Sequence, residues 1–474
     1  MGATRPGMTG IPMADAGANE PQLVTFTGPE KQPGLLETIR IARENGMATI
    51  PRGAYEELIF VPKNGVGRAL VVSDPVGVKR VLLDNVANYP KTPSDAPLLS
   101  AALGDGLLTL DGDKWRGHRR LMSPPFDHRS IVSYAPGMVD AVATMLTDWN
   151  AKAAGAEIDI ADAMTAVTLE IISRAMFSSN SDEISELLGS TFEAGLSELT
   201  FGLLDILPVI GPIRVRAKIE KIKKIFSQID ATMYKLIDDR VKEGGPGKND
   251  LLGRLIAARD ADSGVALTNK EVRDEMVIIF FAGHETTAMA MTFAFYILSQ
   301  RPQQEAKLHE ELDRVLGGRT PAYEDIEDLP YTRWVIEETM RLYPSAPGLS
   351  GRQAMADDEI CGHKVAKGTQ IFVAPWIIHH HAKLWDSPDE FDPERFSPER
   401  AKGRPRFAYL PFGGGPRVCI GASLAMAEAV LILATVAQRY RPRLVPGQEI
   451  ALRSRITLRP RDGIRMTLKR RSIA

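Results

Sequence analysis

Cys419 stands near the end of the run Phe412-Gly413-Gly414-Gly415-Pro416-Arg417-Val418-Cys419-Ile420-Gly421, and a thiolate set at the close of a glycine-rich, cationic loop is a metal ligand by type. The glycines remove side chains and allow positive φ, so backbone can lie flat against a large planar ligand with amides facing the sulfur. Residues 421–439 are rich in Ala and Leu with few breakers. That places Cys419 at a helix N-terminus, where the macrodipole favours a thiolate, and Arg417 adds a fixed positive charge. A buried, inert cysteine in a turn is the plain alternative, but it requires neither three consecutive glycines nor an arginine two residues away.

A second group, Ala282-Gly283-His284-Glu285-Thr286-Thr287, sets an acid and hydroxyls beside two residues with almost no side chain. Small residues let a flat ligand approach, and Glu285 beside Thr286 can relay protons. A polar helix stripe with Thr286 bonded back to its own helix is the ordinary alternative. Glu338 and Arg341 stand three apart and share one helix face, an arrangement equally suited to a surface salt bridge. Trp115 and Arg119 stand four apart on another face, where Trp115 could be plain packing. His379-His380-His381 diverge in either backbone period with no acid or cysteine cluster beside them, and are expected to be loop residues.

The pattern Phe412-x-x-Gly415-x-Arg417-x-Cys419-x-Gly421 resembles the haem loop of the cytochrome P450 family. Its five fixed positions would coincide by chance about once in 10⁷ windows at average residue usage, so the pattern is not incidental. The resemblance runs from about residue 35 to the C-terminus. It implies a mainly α cytochrome P450 fold, a large helical body with a small β-rich lobe, around haem b (iron protoporphyrin IX). Cys419 would be the metal ligand, with Phe412, Gly413 and Gly421 against the cofactor. Ala282-Gly283 resembles the start of the family's oxygen-binding motif, which puts those two residues at the cofactor and makes Thr286 and Glu285 the proton-delivering pair. Trp115 and Arg119 match the family's propionate-binding pair, and Arg352 and Arg417 are further candidates. Glu338 and Arg341, joined by Arg395, would be a buried structural triad behind the haem loop. The loop 98–108, with Leu98 and Leu99, the region 196–213 and the stretch from Ala346 to Leu349 would line the substrate pocket.

The implied activity is monooxygenation, the insertion of one atom of O₂ into an apolar small molecule. A peroxide-driven peroxygenase or a haem-thiolate isomerase on the same fold usually lacks the acid-threonine pair. A non-enzymatic haem sensor would need no proton relay and should carry an output module, of which the sequence shows no sign. Substrate identity is not legible, because pocket loops vary freely on a shared scaffold.

The elements that must hold these groups follow from periodicity. The chain has 474 residues, 44% of them apolar and 25% charged. No linker, repeat or low-complexity block divides it, so residues 23–474 are expected to form one haem domain after a flexible Gly-, Ala- and Pro-rich segment, 1–22. Short β-like runs at 58–61 and 69–72, then 359–361, 364–365 and 370–375, predict the lobe, with a helical segment over 75–88. Helices are expected over 131–153, 164–177, 182–200, 213–243 and 268–300. The last opens on a Thr268/Glu271 capping box and is apolar around most of its circumference, which fits a core helix better than a span with His284 and Glu285 in lipid.

Lys and Arg total 58 against 60 Asp and Glu, a formal charge of −2, which gives no footprint for nucleic acid. The N-terminal residues hold no apolar run of signal or anchor length, so a cytoplasmic protein without a membrane anchor is expected. With Cys419 on iron, Cys361 would have no disulfide partner. No complete Gly-x-Gly-x-x-Gly or Walker loop appears. Electrons are therefore expected from a ferredoxin- or flavodoxin-type donor with its NAD(P)H reductase, docking near Arg116, Arg120, Lys402, Arg404 and Arg406.

Overall fold

The computed structural model describes residues 21–471 except 32, 63–67, 93–95, most of 179–209, 244–249 and 261–263. The segment 1–22 and the helix expected over 182–200 therefore lie wholly or largely outside the described residues. The helices that position the site are α1 (Ala96–Leu103), α2 (Gly112–Met122), α3 (His128–Ala151), α4 (Ile160–Phe177), α5 (Ile210–Lys242), α6 (Asn269–Gln300), α7 (Pro302–Leu316), α8 (Pro330–Leu342), α9 (Pro375–His379) and α10 (Ala422–Arg439). Around them run β1 (Ile59–Phe60), β2 (Ala69–Val72), β3 (Glu157–Asp159), β4 (Arg352–Gln353), β5 (Asp358–Ile360), β6 (His363–Val365), β7 (Gln370–Phe372), β8 (Tyr440–Leu444), β9 (Leu452–Ser454), β10 (Leu458–Pro460) and β11 (Arg465–Arg470). The architecture is a mainly α body with small sheets.

Helix α6 is the axis of the body. Thr268 accepts from the Glu271 amide at 3.2 Å while Glu271 accepts from the Thr268 amide at 2.8 Å, the reciprocal cap that satisfies two orphan donors. From Val272 to Phe281 and again from Thr287 to Leu298 every side chain is buried, against α4, α8 and α10 among others. Both α6 and α10 are long and apolar enough to cross a membrane, but their apolar faces are consumed by packing within the fold.

Two helices begin earlier than their apolar periodicity indicates, because short acidic caps start them. Asp127 accepts from Ser130 N at 2.7 Å to open α3, and Asp159 accepts from Ala161 N at 2.8 Å to open α4.

In the lobe the sheet order is β1-β2-β7-β4, with β2 and β7 parallel and Leu70 opposite Ile371. The pair β5 and β6 forms its own hairpin, although Ile360 and Val365 enter the same small core as Leu70 and Ile371. Asp358 ties that hairpin down by accepting from Arg80, Tyr89 and Asn85. The C-terminal sheets, β3-β11-β8 and β9-β10, were not anticipated.

Of the three histidines, His380 and His381 lie in the loop after α9 as expected, but His379 is helical and the three are more enclosed than loop residues usually are. His379 ends α9 and is fully buried, His381 is buried, and His380 stacks near Trp376 with ring centroids 4.3 Å apart. Apolar Pro375 to Ile378 drag the triplet into the core, where it serves packing and hydrogen bonding.

Candidate active site

The loop 412–421 is shaped by its glycines at two places. Gly413 and Gly415 have φ of 71° and 68°, the left-handed region that a side chain disfavours. At Gly415 a Cβ would also stand 1.8 Å from the Leu82 carbonyl oxygen, so no other residue fits without moving the lobe. Cys419 N donates to the Phe412 carbonyl at 2.9 Å and closes the loop. Helix α10 starts three residues later, with Gly421 at its cap.

Cys419 is exposed and lines a cavity of about 390 Å³, while the protein packed around it desolvates the sulfur. Burial pushes the thiol above its ordinary value, while the Gly421 amide and Arg119 act the other way. The protein alone therefore does not hold a free thiolate there. A metal bonded to the sulfur would, since a coordinated thiol is deprotonated outright.

Opposite Cys419 the cavity is lined from α6 by Ala282, Gly283, Thr286 and Ala290. Gly283 also serves packing, because a Cβ there would lie 3.2 Å from Ile172 of α4. The rim gathers Lys91, Trp115, Arg119, Arg352 and Arg417. Arg417 stacks over the Trp115 ring at 4.3 Å and pairs with Asp111 at 2.5 Å. Arg352 has a buried Nε with no hydrogen-bond partner. Burial, with Arg417 and then Arg352 adding like charge, pushes Lys91 down to about 7, and burial with Arg417 pushes Arg352 down to about 10. Buried cations in excess of their anions, at the edge of an apolar slot with a thiol on one wall, call for a flat ligand carrying carboxylates. Haem, with its two propionates, fits this donor set.

Leu349 lines the cavity, together with Ala346, but Leu98 and Leu99, at the start of the expected loop 98–108, do not. Leu98 is buried in the main core and Leu99 packs against it from α1. The same stretch reaches the cavity through Leu107 and Leu108, on the loop after α1. That loop is fixed by Glu275 of α6, which accepts from the Leu107 amide at 3.1 Å and from His118 Nδ1 at 2.6 Å. Of the region 196–213, positions up to 209 lie outside the described residues, and Ile213 is exposed on α5.

The expected acid-hydroxyl pair is split. Thr286 lines the cavity, its hydroxyl donating to the Ala282 carbonyl at 2.7 Å. Glu285 is buried but is not part of the cavity wall; it accepts from the Thr457 hydroxyl at 2.6 Å and pairs with Arg459. The reason is helical geometry, since consecutive side chains point about 100° apart. Any hand-off from Glu285 to the cavity requires it to leave those partners.

A carboxyl that does face the cavity is Glu428 of α10, which sequence reasoning missed. It is enclosed by protein, and among the described residues its Oε1 has no partner and its one hydrogen bond comes from Thr287 at 3.5 Å. Burial pushes it up to about 8, so it is a neutral acid in the folded protein at pH 7. A raised carboxyl contributes stability that is full below its unfolded value and is lost as pH rises through about 8. Glu428→Gln is therefore expected to gain thermal stability relative to the parent between pH 5 and 8.5. A melting-temperature difference that stays flat over that range would contradict it.

Behind the loop, Glu338 and Arg341 are fully buried and bidentate, with Nε and Nη2 of Arg341 at 2.7 and 2.8 Å from the carboxylate. Arg395 approaches Glu338 at 3.3 Å. Arg341 further donates to the carbonyls of His379, Pro388 and Glu390. His379 Nε2 then accepts from Leu410 N at 2.8 Å, two residues before Phe412. Burial and Arg341 hold the His379 imidazole well below its ordinary value, which keeps that acceptor neutral. The triad is thus connected to the cysteine loop through His379, one of the histidines expected to be loop residues.

Of the expected docking residues, Arg116 is exposed and paired with Asp113, and Arg120 pairs with Asp260 at 2.9 Å. Lys402 and Arg406 are exposed. Arg404 is not a free surface charge: it stacks on Trp385 and Phe396 at 4.5 and 4.8 Å and bonds to the Arg395 carbonyl.

The family described as Cytochrome P450 matches residues 55–467. The chain is 36% identical over 363 residues to cyclooctatin synthase of Streptomyces melanosporofaciens, covering 75% of this chain and 77% of that one. It is 33% identical over 440 residues to cyclooctat-9-en-7-ol 5-monooxygenase of the same organism, covering 89% and 90%, and 31% identical over 445 residues to the chloroplastic carotene epsilon-monooxygenase of Arabidopsis thaliana, covering 88% and 80%. Among solved structures it is similar to the cytochrome P450DA heme domain, at TM-score 0.75 and 25% identity over 88% of this chain and 89% of the other.

Proposed function

The chain belongs to the cytochrome P450 family of haem monooxygenases, and from that premise we propose that it inserts one atom of O₂ into a largely hydrocarbon small molecule, fed with electrons by a separate iron–sulfur or flavin protein. The observation that carries this reading is the slot with Cys419 on one wall, Thr286 on the other and unpaired cations at the rim. Bound haem supplies the redox-active iron for O₂ chemistry. Cys419 would ligate it, and Trp115, Arg119, Arg352 and Arg417, with Lys91, would hold its carboxylates. Leu107, Leu108, Ile278, Ile279 and Leu349 give a substrate mainly apolar contact, and relatives named for cyclooctat-9-en-7-ol and carotene support the same class. Two free cysteines support a reducing, cytoplasmic setting.

The test is turnover under ¹⁸O₂ with a compound that shifts the ferric spin state. One labelled atom in product and one in water is expected. An unlabelled product formed from peroxide, or a rearranged product made without O₂, would give the peroxygenase or isomerase reading instead.

Thr286 holds the hydroxyl that can pass a proton into the cavity. Thr286→Ala is expected to keep consuming reductant while product per electron pair falls about tenfold and peroxide release rises, since a positioned proton donor contributes roughly 10²–10⁴-fold. Tight coupling in that variant would transfer the role elsewhere.

The donor is expected to be acidic and to meet the exposed Arg116, Lys402 and Arg406, with reduction slowing as salt screens the encounter. Arg406→Glu and Lys402→Glu test this in stopped-flow reduction. Arg404→Glu does not, because it would break a stack.

A further inference from the structure

Two consecutive acids of α6, Asp274 and Glu275, reach across to the chain between α1 and α2 and hold it by its backbone. Asp274 accepts from the Asp105 amide at 3.0 Å, and Glu275 accepts from the Leu107 amide with both oxygens, at 3.1 and 3.2 Å. Both acids are buried, Glu275 completely. Gly106, between the two held amides, lets the loop come this close: a Cβ there would stand 2.7 Å from Ile278 Cδ1 and 2.9 Å from the Glu275 carboxyl. The turn is braced from within by Thr109, whose hydroxyl donates to the Gly104 carbonyl at 2.8 Å and accepts from the Gly106 amide at 2.9 Å.

The two acids are neutralised differently. Lys270 and Arg273 lie on Asp274, at 2.6 and 2.8 Å. Glu275 has His118 of α2, whose Nδ1 stands 2.6 Å from Oε1 and whose Nε2 stands 3.5 Å from Glu271. Burial opposes charge on His118, but Glu275 and then Glu271 outweigh it and hold the imidazole above its ordinary value. His118 is flanked on α2 by Trp115 and Arg119 of the cavity rim, and Leu107 is followed by Leu108, both on the cavity wall. One buried carboxylate therefore joins the helix that carries the rim, the loop that carries the apolar wall and the helix that carries Thr286.

We propose that Glu275, held by His118, is a positioning residue that determines substrate selection: by accepting from the Leu107 amide it keeps Leu107 and Leu108 set against the cavity before a long apolar molecule arrives. An apolar side chain of similar length in place of Glu275 would leave that amide and the imidazole without their acceptor, and a loop freed from α6 would have to be ordered by each ligand that touches it. A ligand too short to reach the wall would bind as before. The proposal rests on the haem reading of the slot, and the two measurements below separate its failure from the failure of that reading.

Imidazole and 1-octylimidazole are titrated against the haem-loaded protein by the shift of its Soret band, and amide exchange over residues 104–110 is followed by mass spectrometry, in the parent, Glu275→Met, Glu275→Gln and Gly106→Ala. In the parent the octyl chain is expected to tighten binding by about tenfold or more over imidazole, through burial of its methylenes against Leu107 and Leu108. Glu275→Met should lose about fivefold or more of that gain with imidazole itself unchanged, and exchange over 104–110 should quicken by about tenfold or more. Glu275→Gln should keep the parent values, since its amide oxygen still accepts from Leu107 and its amide nitrogen donates to a neutral His118. Gly106→Ala should match Glu275→Met with the carboxylate intact, by wedging the loop off Ile278, and decides the matter where Glu275→Met does not fold. An octyl chain that adds nothing in the parent, an unchanged ratio of the two affinities in both Glu275→Met and Gly106→Ala, or a loss shared equally by imidazole would overturn the proposal. A parent without any imidazole shift would overturn the haem reading instead; exchange needs no iron, and rates unchanged in Glu275→Met and Gly106→Ala would then overturn this proposal as well.

Discussion

Cys419→Ala is expected to remove the red-shifted Soret band that the reduced protein shows under carbon monoxide, completely and not by degree. The cavity lining holds no second thiol: its other sulfur groups are the thioethers of Met340 and Met426, neutral ligands that cannot give a thiolate band, and a guanidinium or ammonium cannot ligate iron. The backbone of the loop should survive, because it is set by Gly413, Gly415 and the bond from residue 419's amide to Phe412, none of which uses the sulfur. The variant should therefore be soluble and either haem-free or spectrally that of a non-thiolate haem. Retention of the parent band would remove Cys419 from its assigned role and with it the proposed reading of the slot.

That site was legible in the sequence because its demands are local. A positive φ, an absent Cβ and a helix N-terminus all act within ten residues, so Gly413, Gly415, Cys419 and the start of α10 could be placed together from composition alone. The same holds for the Thr268 cap, where the two residues that satisfy each other are three apart. What escaped is what depends on distant neighbours. Leu98 and Leu107 are equally apolar and nine positions apart, and only the Glu275 bond to the Leu107 amide, across 168 residues, brings one to the cavity while the other stays in the core. Glu285 and Thr286 are adjacent in sequence and were read as partners, yet the helix turns them to different surroundings and Arg459 claims the acid. Glu428 looks like any charged residue in an Ala-rich helix. The faint signal was its place on an otherwise apolar stretch, where a carboxyl must be neutral or paired. The strand β11 alternates buried Met466 and Leu468 with exposed Arg465 and Lys469, a pattern visible in advance but masked by its density of charge.

The second large effect is expected from the triad. Arg341→Ala leaves the Glu338 carboxylate at zero exposure with Arg395 as its remaining cation, at 3.3 Å and without a hydrogen bond from Nε. Removing one partner of such a pair costs about 3–5 kcal/mol, because the survivor is an uncompensated buried charge. Three carbonyls, of His379, Pro388 and Glu390, lose their donor at the same time. Against a total stability of about 5–15 kcal/mol this is enough to unfold much of the population. Haem uptake should fail even where protein persists, since the His379 ring that receives the Leu410 amide is placed by the same guanidinium. Glu338→Ala should behave alike, stranding two arginines instead of one acid. Arg333→Ala is the control from the same helix: the Arg333 side chain is 53% exposed against 17% for its partner Glu337, and pairs open to solvent are worth about 0–1 kcal/mol. Soluble yield and haem content per chain decide the matter. If Arg341→Ala accumulated as fully loaded protein as stable as Arg333→Ala, the chain of bonds from α8 through His379 to the cysteine loop would carry no weight, and the loop's own glycines would have to suffice to hold Cys419.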